Sequence, residues 1–531
     1  MQRDHFAHYA LANIPKILTL LDRNRHSPTY GCFDRNFWHY KILDFPSGMS
    51  QEFVWPLALA YSCDIPGNSW RGREPIREWA AAAIHFAARS AHRDGSCDDY
   101  FPYERAAGAT AFSLLACIES YILLGLDDAA ILAFFERRSD WLARHQESGR
   151  LSNHAALIAL CLELASRLLR TNRWDAAKSQ RLSQVLSWQH PEGWFQEYEG
   201  CDPGYQTLTI SSLARIDELA PGNARLKDAL GRAVRFAAEF VHPDGSYGGE
   251  YGSRNTYNFF PHGFELVGRW MPEALQINDR YLTGMASGKL PCYEDDHLVG
   301  HHTWNFLLAW RDFVALRPAL GPRPNGRILF PGAGMVIDRR DGTELYLALN
   351  KGGVFKLFRD GALVASDTQL SVQVRSGGRH PNAVAHLIDD YRIRERDEEV
   401  SIEGRLGWAK HVPMSPAKLI LLRTIALTIG RFFPNLVRRY LQRVLIVGKV
   451  MAPFTFSRNL VWREGRWHVS DELRAPDWEA VESVTIGSDQ TSIYVAMSRT
   501  FQMGQLSPWT ELTDRVRGLA KGESLRVERQ L

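Results

Sequence analysis

Apolar residues recur every three or four positions through the first 316 residues of this 531-residue chain. Stretches such as REWAAAAIHFAARSA, HAALIALCLELASRLL and LKDALGRAVRFAAEFV place these residues on one face of a helix. After residue 326 the pattern changes to short runs with alternating apolar and polar residues, such as LSVQVRSGG, and two RDG turns separate such runs. The pattern therefore predicts a helical part followed by a β part.

The change of pattern coincides with a segment rich in turn-forming residues. Residues 317–326, RPALGPRPNG, contain three Pro and two Gly and are predicted to link two domains. We expect residues 1–316 to form the first domain and residues 327–531 an antiparallel β-sandwich. Residues 415–449 interrupt the β pattern with an apolar, Arg-containing stretch that is expected to be helical. This insertion either packs on the sandwich or provides a basic amphipathic surface for weak contact with an anionic membrane or polymer.

Polar turns built on glycine divide the helical domain at regular intervals. The glycines are 43 to 54 residues apart, which is the length of two ordinary helices with their turns. Their regularity predicts an (α/α) toroid of about six helical hairpins, with every turn on the same rim, although an open solenoid explains the spacing nearly as well. The glycines are Gly48, Gly95, Gly149, Gly193, Gly245 and Gly288.

Composition narrows the classes of function. The net charge of +3 gives no signature of nucleic-acid binding. The seven cysteines form no CxxC pair, and the chain shows neither a signal-peptide h-region nor a long apolar span, so we expect a cytoplasmic protein, or a periplasmic one if an export signal preceded it. An aromatic content of 11% suits either large aromatic cores or a sugar-binding cleft.

The glycine turns carry the candidate chemistry. In GRLSNHAALIAL, Ser152 is a natural N-cap, and Asn153 and His154 then open the helix before its apolar stripe begins. Every other turn also supplies titratable or aromatic residues, including Tyr205 after DPG and Arg254 in GSRNTY. If the turns share a rim, these groups converge in one concave site. Alone, Asn153 would be interpreted as a cap.

The Asn-His pair at a helix start and the tyrosine of EGCDPGYQ resemble motifs of the heparinase II/III-like group of polysaccharide lyases. The segment FPGAGMVIDRRDGTELYLALNKGG also resembles the start of that group's sandwich. The resemblance implies cleavage of a uronic-acid polysaccharide or oligosaccharide by β-elimination, without a cofactor. Many members carry a histidine-containing stretch after the GG of the sandwich, whereas this chain reads NKGGVFKLFRDG.

The resemblance also implies roles for individual residues. Asn153 would hold the uronate carboxylate, His154 would assist or act as the base, and Tyr205 would be the acid or the acid and base. The next candidates are Arg254 for carboxylate binding and His262 for a base on the opposite face. The expected substrate-binding residues are Arg35, Trp38, His39, Tyr103, Glu104, Trp194, Gln206, Tyr251 and His301.

Other functions stay open at this point. Paired carboxylates across a toroid cleft suit a glycoside hydrolase. A C5-epimerase would use the same proton abstraction as a lyase, and a glycan-binding protein of exopolysaccharide biosynthesis would use none. A terpenoid cyclase is disfavoured because repeated QxxxGxW and DxDD motifs are absent from the sequence. The carboxylates that a hydrolase would use are Glu104, Asp202, Glu250 and Asp296.

A histidine cluster follows the sixth turn. His297 and His301 are four residues apart, which suits one helix face, and His302 is adjacent. No glutamate follows His297 in the manner of an HExxH motif, so we expect polar rim residues here and no metal site.

Overall fold

The structure is a computed structural model that describes residues 2–147, 149–198, 200–409, 413–434, 436–437, 450–487, 500–501 and 509–531. The chain begins with three short helices, α1 (Asp4–Ala12), α2 (Ile14–Leu20) and α3 (Arg35–Trp38). None of the helices in these ranges is long and apolar enough to cross a membrane.

Six helices then form a closed inner ring. Each packs on the next, and the last packs on the first, so the ring is a toroid and not an open solenoid. Their residues are buried on nearly every side, which explains the broad apolar content of stretches such as AGATAFSLLACIESYIL. The inner helices are α4 (Val54–Ser62), α6 (Ala107–Leu123), α8 (Ser152–Leu168), α10 (Pro203–Leu219), α12 (His262–Gly268) and α14 (Val299–Arg311).

An outer layer of helices alternates with the inner ring along the chain. These helices bury one face only, and helix 224–238 shows this as alternating apolar and basic residues in ARLKDALGRAVRFAA. Helix α1 packs mainly on α14, the last helix of the ring. The outer helices are α5 (Glu74–Ser90), α7 (Ala129–Arg144), α9 (Asp175–Ser187), α11 (Ala224–Ala238) and α13 (Glu273–Ala286).

The glycine turns lie where the chain passes from the outer layer to the inner ring. Each precedes an inner helix, so the inner helices run parallel; five of them begin at this rim, whereas α12 begins deeper in the ring, where Gly263 approaches Ser211 of α10. A Cβ on Gly95 or Gly193, both of which have positive φ, would meet the backbone of Arg138 or Arg232 in the last turns of the neighbouring outer helix. Only glycine allows this close approach. The predicted toroid with its turns on one rim is therefore confirmed.

The β part forms two antiparallel sheets among the described residues. The first has the order β1-β2-β3-β4-β5, and the second follows β13-β12-β6-β7-β9-β10-β11-β14 with β8 paired to β9. The strand expected in TSIYVAM, residues 491–497, lies outside the described residues. The strands are β1 (Gly326–Phe330), β2 (Met335–Arg340), β3 (Thr343–Ala348), β4 (Val354–Arg359), β5 (Ala362–Asp367), β6 (Leu370–Val374), β7 (Asn382–Val384), β8 (Arg392–Arg396), β9 (Glu399–Trp408), β10 (Met451–Arg463), β11 (Arg466–Arg474), β12 (Val481–Ile486), β13 (Thr510–Glu511) and β14 (Ser524–Gln530).

The first sheet lies between the toroid and the second sheet. One of its faces, with Val336 and Leu357, packs on the second sheet, as alternation in a sandwich requires. The opposite face, with Ile337 and Tyr346, joins the hydrophobic core of the toroid. The central strands of the first sheet, β2, β3 and β4, are consequently buried on both faces.

The insertion after β9 is helical where it is described. Helix α15 (Pro416–Ile425) continues into a π-helical turn at residues 426–430, and residues 438–449 lie outside the described part. Its ion pair runs to the toroid, because Arg423 Nη1 donates to Asp44 Oδ1 at 2.7 Å. The guanidinium of Arg431 also lies 5.8 Å from the ring centre of Tyr103. The insertion thus reaches the rim that carries the glycine turns.

Lys351, which follows β3, joins the sandwich to the toroid. Its Nζ donates to the carbonyl oxygens of Glu250 and Gly252 at 2.5 and 2.9 Å, and to Asn255 Oδ1 at 2.5 Å. These acceptors lie in the loop that carries Arg254. Burial lowers the pKa of Lys351 to about 8. A lysine from the second domain therefore holds a loop of the first.

Lys351→Met should change the pH dependence of stability in a defined direction. The pKa of Lys351 is lower in the folded state than in the unfolded chain, so between pH 8 and 10 the unfolded chain binds more protons. The stability of the wild type relative to Lys351→Met should therefore rise with pH in this window, by at most about 1.4 kcal/mol per pH unit. Chemical denaturation at several pH values measures it, with Lys521→Met as the exposed control. A flat difference would contradict the buried, charged lysine.

Candidate active site

Helix α8 begins at the rim without a side-chain cap of its own. Ser152, the expected N-cap, is already the first helical residue, and its Oγ donates to the carbonyl oxygen of Gln196 at 2.7 Å. The N-cap prediction was therefore wrong. The helix start is satisfied from the next turn instead, because Glu197 Oε1 accepts the backbone N–H of Asn153 at 2.8 Å. A carboxylate at this position also interacts favourably with the partial positive charge at the N-terminus of the helix.

Asn153 lies beneath Glu197 and is fully buried. Its Nδ2 donates to both carboxylate oxygens of Glu197, at 2.9 and 2.8 Å, while its Oδ1 has no partner. Burial raises the pKa of Glu197, and the nearby Arg254 and Asn153 oppose that rise. The amide hydrogens that would hold a substrate carboxylate are thus occupied. In this arrangement Asn153 positions Glu197 and presents no surface of its own to solvent.

Asn153→Ala should destabilise the fold measurably. The substitution leaves the buried carboxylate of Glu197 without its two amide hydrogen bonds, and a hydrogen bond to a charged group contributes about 1.5–3 kcal/mol. We expect the free energy of unfolding to fall by about 2 kcal/mol or more in urea denaturation. Asn172→Ala, in an exposed loop, is the matched control and should stay within about 0.5 kcal/mol of the wild type. Equal stability of the two variants would contradict the positioning role of Asn153.

Tyr205 is the third residue of helix α10. Asp202 caps this helix by accepting the N–H of Tyr205 at 3.0 Å, and its other oxygen accepts the N–H of Arg254 at 3.0 Å. The guanidinium carbon of Arg254 lies 4.2 Å from the ring centre of Tyr205 and 4.4 Å from that of Tyr198. One carboxylate therefore fixes the start of the helix and the cation above its tyrosine.

Two opposing effects set the acidity of Tyr205. Burial raises its pKa to about 12, and the positive charge of Arg254 works against the rise. The phenol is therefore protonated near neutral pH and available as a proton donor. Arg254 Nη1 also reaches Glu197 Oε2 at 3.3 Å, while its Nε is buried without a partner. The cluster of Asn153, Glu197, Arg254 and Tyr205 is continuous.

His154 sits beside this cluster with a carboxylate behind it. Its Nδ1 lies 2.8 Å from Glu147 Oε2, which leaves Nε2 as the other ring nitrogen. The side chain is 23% exposed. A Cβ on Gly108 of helix α6 would come within 2.8 Å of the imidazole, so glycine provides the space that the ring occupies. A histidine oriented by a carboxylate is the arrangement of a general base.

Helix α6 connects His154 to His301. The ring of Phe112 lies 6.5 Å from His154 and 4.5 Å from His301. His301, in the first turn of α14, holds Glu52 Oε1 at 2.6 Å through its Nδ1. His301 is buried, so its role here is to hold Glu52 in place and not to contact a ligand at the surface.

Tyr100, in the second glycine turn, is exposed and lies near enough to Tyr205 to interact with it electrostatically. Its side chain is 70% accessible, while partial desolvation of the hydroxyl and the nearby Asp99 and Tyr205 raise its pKa. Burial likewise raises the pKa of Asp99, whose Oδ1 accepts from Ser47 Oγ at 2.6 Å. An accessible aromatic ring at the rim is a suitable surface for a sugar. The sequence pattern places Tyr100 in its turn but did not single it out as a site residue.

Several predicted substrate-binding residues are buried in structural roles. Trp194 stacks on His190 at 4.9 Å, and Gln206 accepts from Phe195 N–H and donates to the carbonyl of Gly193. Tyr251 is hydrogen-bonded to His242 at 2.8 Å and stacks against Tyr346 of the sandwich. The side chains of Trp194, Gln206 and Tyr251 are enclosed by protein. They therefore offer no exposed surface on which a sugar could stack in this structure.

His262 also lies away from the cluster. Its Nε2 contacts Asp312 Oδ2 at 2.7 Å, at the far end of α14 from His301, and burial lowers its pKa. The positive charge of Arg215 also lowers the pKa of His262. Arg215 is ten residues after Tyr205 on α10 and hence about 15 Å away along the helix. The structure therefore does not bring His262 to Tyr205 as an opposing base.

The remaining predicted residues lie at the rim near α3 and α6. Arg35 lies over the exposed ring of Tyr40, and Trp38 contacts His39 edge to face. Tyr103 stacks on His92 and lies below Arg431 of the insertion. Glu104 accepts the N–H groups of Asp99 and Tyr100, so it shapes the turn and does not face a ligand.

The carboxylates that a hydrolase would need are engaged elsewhere. Asp202 caps α10, and Glu104 shapes its turn. Glu250 pairs with Lys356 at 3.1 Å and accepts from Tyr257, while Asp296 pairs with Lys16 at 2.7 Å on the surface. These four groups therefore do not form a facing acid and base. Among the described residues, no three His, Cys, Asp or Glu side chains are arranged to hold a metal ion.

Comparisons with known proteins identify the architecture. No family model and no curated protein sequence matches this chain. Its structure is similar to the chondroitin AC lyase of Streptomyces coelicolor, with a TM-score of 0.55 and 11% identity over 91% of this chain and 68% of that one. It is also similar to a Paenibacillus xanthan lyase, with a TM-score of 0.51 and 10% identity over 92% of this chain and 46% of that one. Heparinase III aligns with a TM-score of 0.49 and 12% identity over 83% of this chain and 64% of that one.

The identities are low, so the likeness concerns the fold. The chain spans about two thirds of the chondroitin AC lyase and about half of the xanthan lyase. The chain therefore has the fold of known polysaccharide lyases, an (α/α) toroid followed by an antiparallel β domain.

Proposed function

We propose that this protein is a polysaccharide lyase that cleaves a uronate-containing glycan by β-elimination. The observation that carries the proposal is the placement of Tyr205 beneath Arg254, beside the carboxylate-backed His154, at the rim of a toroid. The buried carboxylate of Glu197 interacts electrostatically with both His154 and Tyr205, which supports a single site around it. The fold shared with chondroitin AC and xanthan lyases supports this assignment.

The residues divide the work of elimination. His154 removes the proton from C5 of the uronate, the C4–O bond breaks as the C4=C5 double bond forms, and the Tyr205 hydroxyl protonates the leaving oxygen. Arg254 supplies positive charge near the uronate carboxylate, which makes the C5 proton more acidic. Asn153, Glu197 and Glu147 act through these groups as positioning residues.

A panel of soluble uronic-acid glycans tests the reaction. Elimination creates an unsaturated uronate, so we expect ultraviolet absorbance to grow together with new reducing ends. Reducing ends without absorbance would overturn the lyase in favour of a hydrolase. Exchange of the C5 hydrogen with solvent deuterium, without cleavage, would overturn it in favour of an epimerase. Binding without any of these changes would indicate a glycan-binding protein.

A further inference from the structure

The insertion exposes an unusual amount of apolar surface. Nine of the 23 exposed large apolar side chains of the described chain lie between residues 414 and 436. They include Ile420, Leu421, Phe432 and Phe433, and Phe432 is 72% accessible. Helix α15 has no buried residue of its own. We call residues 414–437 the apolar arm.

The composition of the apolar arm is unusual for a helix that faces solvent. Its outward positions alternate leucine, isoleucine and phenylalanine with only occasional threonine and basic residues. A solvent-facing helix normally carries charges there, and a contiguous apolar patch marks an interaction site. The few inward contacts, such as Ala426 and Gly430, are too small to bury the large side chains.

Charge identifies the kind of surface that would cover the arm. Between the strands that flank the insertion, residues 413–450 contain seven Lys or Arg and no Asp or Glu. Lys418 and Arg431 lie within the exposed part of the arm itself. Exposed apolar side chains on a segment whose own charges are all positive match a bilayer that carries anionic headgroups. The ten residues of α15 extend for about 15 Å, half the thickness of a bilayer's hydrocarbon core, so this helix would lie in the interface.

We propose that the apolar arm docks this protein onto an anionic lipid bilayer. Phe432 and Phe433 enter the interface, and the basic residues contact the headgroups. The pairing of Arg423 with Asp44 and the position of Arg431 over Tyr103 fix the arm beside the cleft rim. Docking would thus hold the cleft close to the membrane surface. The inference does not depend on the proposed elimination chemistry.

Co-sedimentation of the full chain with vesicles tests the proposal. We expect binding to phosphatidylcholine vesicles that contain phosphatidylglycerol, weaker binding at high salt, and little binding to phosphatidylcholine alone. The double substitution Phe432→Ser and Phe433→Ser should weaken binding about ten-fold or more, because two apolar anchors are lost. Leu316→Ser, at an exposed apolar position outside the arm, should bind as the wild type does.

Two controls separate membrane docking from misfolding and from self-association. Both variants alter exposed side chains, so near-ultraviolet circular dichroism should match the wild type. Equal binding to both kinds of vesicle, no binding to either, or unchanged binding by the double variant would overturn the proposal. Self-association that disappears in the double variant, without vesicle binding, would overturn it in favour of a second copy of this chain.

Discussion

Tyr205→Phe should reduce kcat on any cleaved glycan by about a hundred-fold or more, while KM changes little. The substitution removes only the hydroxyl that would protonate the leaving oxygen. The aromatic ring under Arg254 remains, so the cation–π contact and the cap by Asp202 are retained. Because burial holds the pKa of Tyr205 near 12, the wild-type phenol keeps its proton throughout the neutral range. Steady-state kinetics on a soluble substrate measures the effect.

A matched control for this experiment lies on the same ring of helices. Tyr61→Phe removes a hydroxyl near the end of α4, which is the opposite end from the rim. We expect its kcat to equal that of the wild type. Near-wild-type activity of Tyr205→Phe would remove Tyr205 as the acid and leave its position under Arg254 without a catalytic role.

His154→Gln should reduce kcat by about a hundred-fold to ten-thousand-fold. Glutamine can keep a hydrogen bond to Glu147 but cannot accept a proton from carbon, so the loss should come from the chemistry and not from folding. Any solvent-deuterium incorporation at C5 of the recovered, uncleaved substrate should fall in parallel, since the variant lacks the base.

His85→Gln is the control for His154. His85 also faces a carboxylate, Asp128, at 3.4 Å, but it lies on outer helix α5 and is half exposed. We expect unchanged kinetics. If His154→Gln retained full proton exchange at C5 and lost only cleavage, the base would have to be another residue, and Tyr205 would be the first candidate.

The sequence by itself determined the architecture of this protein. Helical periodicity ended where Pro and Gly became frequent, and the evenly spaced glycines indicated hairpins of equal length. Helical periodicity can be read from the sequence because it reflects which face of each helix is buried. The same regularity placed Asn153, His154, Tyr205 and Arg254 on one rim, and the structure does bring these four residues together.

Tertiary structure alone decided which polar residues face the cleft. Trp194, Tyr251 and His262 sit in equally suggestive turns, yet they point into the sandwich interface or down the ring. Glu197 emerged as the centre of the cluster only because three elements meet around it. Lys351 comes from the other domain, and no spacing along the chain relates it to Asn255. The physical reason is that periodicity fixes the buried face of a helix, whereas the direction of a turn residue depends on partners distant in sequence.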